Sequence, residues 1–473
     1  MTEYPLWIGG REVKGARVRE VRIPYDNSPW ALVHEGEEIH LNLALEVAKQ
    51  TAPVMRELPL SERSAILRRA HLMLVERREE FARTISAESG KPLREGRAEA
   101  DRAAQTLLFS STEALRLAGE VIPMDAAPAG HGRMAITVRE PLGVIAAITP
   151  FNFPLNLSAH KIGPALAAGN AVVHKPASAT PLSGLMLARL LAEAGLPDGA
   201  LNVVPGPGGR LGDMLVDDPR VAMITFTGSA EVGLRIRARA GLKRVTLELG
   251  SNSALIVHRD ADLDRCAAAA VPGAYAHSGQ VCISVQRILV HEDAFRPFFD
   301  RFSAVSESLK SGHPLDPETE VSSLITEQEA ERIEAWIGDA ASAGARKAFG
   351  GVRRSASVSP AALLEVPESA AVFAKEAFGP VACINRCRTL DEAIDAVNRS
   401  EYGLQAGIFT RDIDAAFAAA RRVHVGGFLI NDVPQFRTDQ MPYGGVKLSG
   451  TGREGPKYAI EEMTEPKLIS WRV

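Results

Sequence analysis

Residues 143–176 read GVIAAITPFNFPLNLSAHKIGPALAAGNAVVHKP, and the reading of this stretch decides the fold. The apolar run 143–149 has the length and character of a strand. Pro154 then stands where a helix opens, and helical spacing continues to Gly169-Asn170, a stop signal. Residues 171–174 form a second strand, and 182–194 carry the apolar spacing of a helix ended by Gly195. The cycle continues through a strand at 201–204, a helix near 211–216, and strands at 221–226 and 245–249. Such β-α-β-α alternation predicts a parallel, doubly wound α/β sheet.

A second alternating region follows. Residues 254–257 read as a strand, 262–275 as a helix, 283–290 as a strand and 294–309 as a helix. The pattern resumes near Glu376 with 381–384, 390–398 and 406–409. Two α/β domains are therefore expected, meeting near Gly250. The first 120 residues read as mostly helical, with apolar spacing clearest over 65–85. Residues 122–139 resemble a hairpin that leaves the main body, and 467–473 a terminal strand. A chain of 473 residues exceeds one compact core, and its length predicts roughly three domains.

With 46% hydrophobic and 24% charged residues, the chain can fill a large core. A net charge of −4 without a basic block argues against a nucleic-acid partner. The basic residues from Arg63 to Arg102 alternate with acids at helical spacing and read as solvated helix faces. No apolar run approaches the ~18 residues of a membrane span, and no secretory leader is visible at the start. Four cysteines make no disulfide framework. Cys266, Cys383 and Cys387 read as core thiols with no metal role, and a reducing cytoplasm is the expected compartment.

Cys282 stands apart. It follows Gly279-Gln280-Val281 in a polar turn ahead of an apolar run, some tens of residues beyond Glu248-Leu249-Gly250. A thiol there is open to substrate, and a carboxylate from the preceding loop can serve as its base. Phe226-Thr227-Gly228-Ser229 follows a strand and opens a helix. It reads either as a phosphate-binding helix terminus or as a tight strand-to-helix turn. Lys175-Pro176 ends a strand, where a lysine can bond ribose hydroxyls or simply decorate the surface. Asn152, between Phe151 and Phe153, offers an amide donor to a developing oxyanion, or is a turn residue before a proline.

Taken together, these motifs resemble the NAD(P)-dependent aldehyde dehydrogenase superfamily from about residue 20 to the C-terminus. The matching blocks are Pro150-Phe151-Asn152-Phe153-Pro154, Lys175-Pro176-Ala177-Ser178, Phe226-Thr227-Gly228-Ser229, Glu248-Leu249-Gly250 and Gly279-Gln280-Val281-Cys282. Glu376-Ala377-Phe378-Gly379-Pro380, Asn398, Pro442-Tyr443-Gly444-Gly445, Lys447, Ser449-Gly450 and Gly452-Arg453-Glu454 follow in family order. The resemblance implies a dinucleotide-binding domain at 1–121 and 141–249, a catalytic domain at 250–454, and a β oligomerisation flap at 122–140 and 455–473. A homodimer or homotetramer is implied as well.

It further implies that Cys282 attacks the aldehyde carbon and that Asn152, with the Cys282 backbone N–H, holds the oxyanion. Hydride then passes to NAD or NADP, and Glu248 activates the water that hydrolyses the thioester. Lys175 and Glu376 match ribose ligands. Gly228 and Ser229 match the pyrophosphate border, Phe378 the nicotinamide wall, and Phe151, Ser178 and Leu249 the remaining cofactor contacts. Two alternatives stand beside this reading, a coenzyme-A-acylating semialdehyde dehydrogenase and a crystallin-like protein without catalysis. The intact Cys282 and Glu248 argue against both.

Departures from the family pattern bear on specificity. Gly250 is followed by Ser251 rather than a second glycine, and Phe151 stands where tryptophan is frequent. Val281 and Ile283 are expected to line an apolar funnel. Arg102 and Arg437 are candidates for recognising charge on the substrate, or else structural ion-pair residues. The setting of Cys282 resembles lactaldehyde-type members, so small, hydroxylated or carboxylated aldehydes are expected. Ser178 replaces a glutamate that would repel a 2′-phosphate, so NADP is expected to be accepted.

Overall fold

The computed structural model describes residues 1–15 and 17–473. Its larger sheet has eight strands, in the order Gly450–Thr451, Arg244–Glu248, Val221–Thr227, Val144–Ile148, Ala171–Lys175, Leu201–Val203, Leu6–Ile8 and Arg11–Val13. The five strands from Arg244–Glu248 to Leu201–Val203 are parallel. Val144–Ile148 and Ala171–Lys175 are buried at every position, which is why they read as continuous apolar runs rather than alternating ones. The chain winds outward in both directions from Val144–Ile148. A crevice therefore opens at the carboxyl ends of that strand and Val221–Thr227, where doubly wound sheets bind ligands.

The second sheet runs Arg346–Phe349, Ala361–Leu364, Val381–Cys387, Arg287–His291, Ala254–Val257, Gln405–Phe409 and Gly427–Ile430. All its pairings are parallel except the first. Its helices start where the sequence offers caps: Asp262 accepts from Arg265 N–H, Thr389 from Glu392 N–H, and Asp412 from Asp414 and Ala415. A separate three-stranded sheet joins Val121–Ile122, Arg133–Pro141 and Thr464–Arg472. The hairpin and the tail are thus one antiparallel unit, with the terminal strand starting earlier than the sequence indicated.

One expectation is refined and two are corrected. Four helices do cover most of the first 120 residues, but the described residues before Glu38 hold strands: Thr2–Tyr4, Pro29–Glu35 and Arg17–Arg22 form a small sheet, and Leu6–Ile8 and Arg11–Val13 extend the large one. Helices begin only at Glu38–Glu57. The helix expected from Pro154 begins at Asn156, because its cap comes from elsewhere in the chain. Glu99 accepts the Leu155 and Asn156 N–H groups at 2.9 and 3.1 Å, leaving 150–154 free as a loop. The strand expected over 283–290 is Arg287–His291. Ser284 N–H turns back to Val281, and the Gln286 side chain is bonded to Val372, Lys375 and Ala377 backbone.

Arg77, Arg78, Arg94 and Arg97 of the helical region make ion pairs at the surface, as in Arg78–Asp101 and Arg97–Glu79. Two basic residues are buried instead. Arg63 is buried and donates to the carbonyls of Leu58, Arg56 and Ala167. Lys91 is fully buried and bonded to Glu99 at 2.5 Å, with its ammonium 3.7 Å from the centre of the Phe153 ring. Glu99 therefore both neutralises a core lysine and caps the helix behind Asn152. Replacing it by Ala leaves Lys91 uncompensated and two N–H groups unmet. The expected loss is roughly 3–5 kcal/mol, measurable as a lowered urea midpoint.

Candidate active site

Cys282 is delivered by an unusual turn. His277, Ser278 and Gly279 follow one another at φ values of 48°, 54° and 74°. Gly279 is required there, because a Cβ would lie 2.0 Å from the Gly379 carbonyl oxygen. Two of the motif blocks therefore touch backbone to backbone. Glu95 holds the turn by accepting His277 N–H at 2.8 Å, and Ser278 donates to the Ser322 carbonyl at 3.0 Å. Gln280 accepts from Ile325 N–H at 2.9 Å. Val281 and Ile283 pack with Leu404, Tyr443 and Phe153 around the partly buried thiol; they form a buried apolar cluster and do not line the cavity as a funnel. The other three cysteines are buried and unpaired.

A cavity of about 760 Å³ runs from this thiol across the crevice of the large sheet. It brings together eleven of the candidates drawn from the sequence: Cys282, Glu248, Asn152, Phe151, Lys175, Ser178, Gly228, Ser229, Leu249, Glu376 and Phe378. Asn152 donates to the Gln280 carbonyl at 2.9 Å, which fixes its amide beside the loop that carries Cys282. An amide nitrogen carries two hydrogens, so one donor remains for an oxyanion.

Glu248 ends its strand with both carboxylate oxygens buried and unpartnered among the described residues. Burial, reinforced by the nearby Glu454, lifts its carboxyl well above the ordinary range. Glu376 accepts Ser251 N–H at 2.9 Å and is pushed up to about 7 by burial. Phe378, at φ 50°, meets Phe151 edge to face at 5.7 Å.

The residues at the far end fit a dinucleotide. Ser229 caps the helix Ala230–Arg239, whose N-terminus faces the cavity, settling the Thr-Gly-Ser motif as a helix-opening turn on a pocket. Thr149 and Thr227 line the pocket with buried hydroxyls that have no partner. Lys175 is lowered to about 8 by burial alone and bonds only to the Pro176 carbonyl among the described residues. A polyanion would restore its charge. Ser178 does not cap the next helix: it donates to the Gly206 carbonyl at 2.8 Å.

Several groups carry no strong sequence signal. Arg437 is buried with its guanidinium stacked 3.7 Å from the Tyr443 ring centre, and it bonds Glu454 at 3.1 Å and His160 at 3.2 Å. Lys161 bonds the other Glu454 oxygen at 2.7 Å. His160 meets Asp439 at 2.9 Å, and Arg102 grips Asp439 at 2.9 and 3.3 Å. Arg102 and Arg437 are thus both ion-paired. The single hint was His160-Lys161 inside a helix that is otherwise almost wholly nonionic and is buried at every position. Asn398 bonds only backbone, to Arg422 and His424, and supports the second sheet rather than the cavity.

A family model described as the aldehyde dehydrogenase family matches residues 11–469. This chain belongs to that family. It is 46% identical to a 3-sulfolactaldehyde dehydrogenase of Priestia aryabhattai over 467 residues, covering 99% of this chain and 98% of that protein. Aldehyde dehydrogenase 21 of Physcomitrella patens, solved with the reaction product succinate, superposes with a TM-score of 0.97 at 37% identity. That match covers 100% of this chain and 98% of the moss chain. NADP-dependent glyceraldehyde-3-phosphate dehydrogenase of Bacillus halodurans C-125, complexed with NADP, gives 0.97 at 35% identity, with 100% of both chains covered. The aldehyde dehydrogenase fold and an NAD(P)-dependent oxidation of an aldehyde follow for this chain.

Proposed function

We propose that Cys282 is the nucleophile, Asn152 the oxyanion donor and Glu248 the base of a small-aldehyde dehydrogenase. The observation that carries this is the convergence of thiol, amide and unpartnered carboxylate on one cavity whose other end is lined by Lys175, Ser178 and Glu376. The Cys282 sulfur adds to the aldehyde carbon, giving a thiohemiacetal whose oxyanion accepts from Asn152 and the Cys282 N–H. When bound, the nicotinamide supplies a hydride acceptor. The resulting acyl group stays on Cys282 as a thioester. Glu248 takes a proton from water, which attacks the thioester and releases a carboxylic acid. A carboxyl raised by burial is well suited to that task near neutral pH, and it removes the need for coenzyme A. Lys175, Ser178, Glu376, Gly228, Ser229, Leu249, Phe151 and Phe378 hold the cofactor.

The substrate in this reading is a small aldehyde with an anionic or hydroxylated tail. A buried apolar cluster of Phe153, Val281, Ile283 and Tyr443 packs behind Cys282, and the Arg102 and Arg437 guanidinium groups lie 5.9 and 3.7 Å from the Phe153 and Tyr443 ring centres. The likeness to proteins named for 3-sulfolactaldehyde and described with succinate supports an acidic tail. The dinucleotide-binding role falls to 1–121 and 141–249, and the catalytic role to 250–454. The strand Thr464–Arg472 is exposed along nearly its whole length, with Leu468, Ile469 and Trp471 uncovered. A homo-oligomer that covers this edge is the expected assembly. Unpaired thiols suit a reducing cytoplasm, and among the described residues no helix is long and apolar enough to cross a membrane.

Glu248→Gln tests the division of labour. Steady-state turnover should fall by about 100-fold or more, while a burst of reduced nicotinamide remains in stopped flow. Loss of the burst as well would place Glu248 upstream, in thiol activation. Kinetics over 3-sulfolactaldehyde, lactaldehyde, succinic semialdehyde and a long aliphatic aldehyde test the substrate class, with preference for the long chain refuting it. Wild type should use NADP at least as well as NAD. Ser178→Glu should reverse that preference, because its carboxylate meets the 2′-phosphate; strong discrimination against NADP in the native enzyme would refute the reading.

A further inference from the structure

The Cys282 sulfur lies 2.9 Å from the Tyr443 hydroxyl, its one hydrogen-bond partner among the described residues. The ring is buried and packed against Val281, Ile283 and Leu404, with the Arg437 guanidinium stacked on its face at 3.7 Å. Arg437 is in turn fixed by Glu454 and His160. We propose that Tyr443 is a catalytic residue whose hydroxyl donates to the Cys282 thiolate, before attack on the aldehyde and again as sulfur leaves the acyl carbon. This rests on Cys282 being the nucleophile.

In the neutral thiol either group can donate. A thiolate has no proton, so the bond then runs only from phenol to sulfur and becomes charge-assisted. The surroundings make such a donor necessary. Burial pushes the Cys282 thiol up to about 11, and Glu376 and Glu248 add to that, while Tyr443 and Arg437 oppose it. Burial first, then the neighbouring Cys282, holds the Tyr443 phenol well above its ordinary value, so it remains a donor across the working range. A cation on the ring face draws electron density from the ring and favours donation. In thioester hydrolysis the C–S bond breaks and its electron pair stays on sulfur, where Tyr443 meets it. The phenol keeps its proton throughout; the thiol proton leaves once, to solvent water reaching the cavity, and hydrolysis of the thioester returns Cys282 as the thiolate. Arg437 is a positioning residue for this contact.

Tyr443→Phe keeps the ring, its packing and the guanidinium stack, and removes only the oxygen. Alkylation of Cys282 by iodoacetamide, followed by peptide mass spectrometry across pH, reads the thiolate directly, since the other cysteines are buried. The expected result is about tenfold slower alkylation at pH 7.5, a midpoint raised by about one unit, and a similar loss in kcat. KM for NADP should be unchanged, which also reports an intact fold. Alkylation and turnover profiles that overlay those of wild type would overturn the proposal. Cys282→Ala is run in parallel. Retained turnover there would defeat the nucleophile itself, whereas an inert Cys282→Ala beside an unchanged Tyr443→Phe would defeat only the role of Tyr443.

Discussion

A single carboxyl-terminal segment, residues 437–454, is bonded to both large sheets, and the geometry of the thiol depends on where it lies. Gly450–Thr451 pairs with Arg244–Glu248 as the edge of the eight-stranded sheet. Beside it, the Ser449 carbonyl accepts Leu249 N–H at 3.0 Å, and its hydroxyl donates to the Gly250 carbonyl at 2.8 Å while accepting Gly403 N–H at 3.0 Å. Gly403 precedes a strand of the other sheet. Tyr443 and Glu454 exchange two backbone bonds, at 3.1 and 2.7 Å. The residue that touches the nucleophile and the carboxylate that holds Lys161 and Arg437 are therefore one unit. Movement of this segment would shift Glu248, Tyr443 and the charge network together.

Charge is distributed with a clear logic around that seam. Lys91 with Glu99, Lys161 and Arg437 with Glu454, and Arg102 with Asp439 are all matched, as buried charges must be. Burial alone would raise Glu454, but Lys161, Arg437 and His160 outweigh it and bring its carboxyl down to about 2. Burial first, and then that fixed negative charge, raise Glu248, which makes no ion pair among the described residues although Lys161, Arg437 and Arg453 partly oppose the rise. One carboxylate is thus held ionised and its neighbour is poised to exchange a proton. Two like groups are driven apart by their partners, the pattern by which acid–base roles are assigned in enzyme sites.

How much of this was legible in the sequence follows from the range of the forces involved. The parallel sheets were visible because fully buried strands and capped helices are local signals, as in Val144–Ile148 and the Asp262-capped helix. Cys282, Glu248, Asn152 and the cofactor-side residues were visible because each sits at a turn or strand end in a recognisable block. The N-terminal strands were missed because 17–22, with Val18 and Val21 three apart among Arg and Glu, carries no period-two signal, and the helical spacing of 65–85 was extended over its neighbours. The start of the helix behind Asn152 was misplaced because its cap, Glu99, is more than fifty residues away in the chain. Arg437, His160 and Lys161 gave little signal for the same reason: a buried ion has meaning only through a partner that spacing cannot reveal.

The turn at 277–279 carries this point to the nucleophile itself. Serine has no preference for left-handed backbone and histidine only a modest one, and two such residues in succession cost roughly 1–3 kcal/mol each. Locally only Gln280 helps, its N–H and side-chain amide donating to the His277 carbonyl at 3.0 and 3.2 Å. The rest comes from distant segments: the buried Glu95 carboxylate on His277 N–H, the Ser322 carbonyl on Ser278, and the Ile325 N–H on Gln280. Strain of this kind persists only where surrounding structure over-determines it. Here it turns the chain sharply enough to bring the Cys282 N–H and Sγ onto the cavity beside Asn152. The backbone is bent by contacts within the protein itself, so in the proposed mechanism the oxyanion donors and the thiol are held in place before substrate arrives.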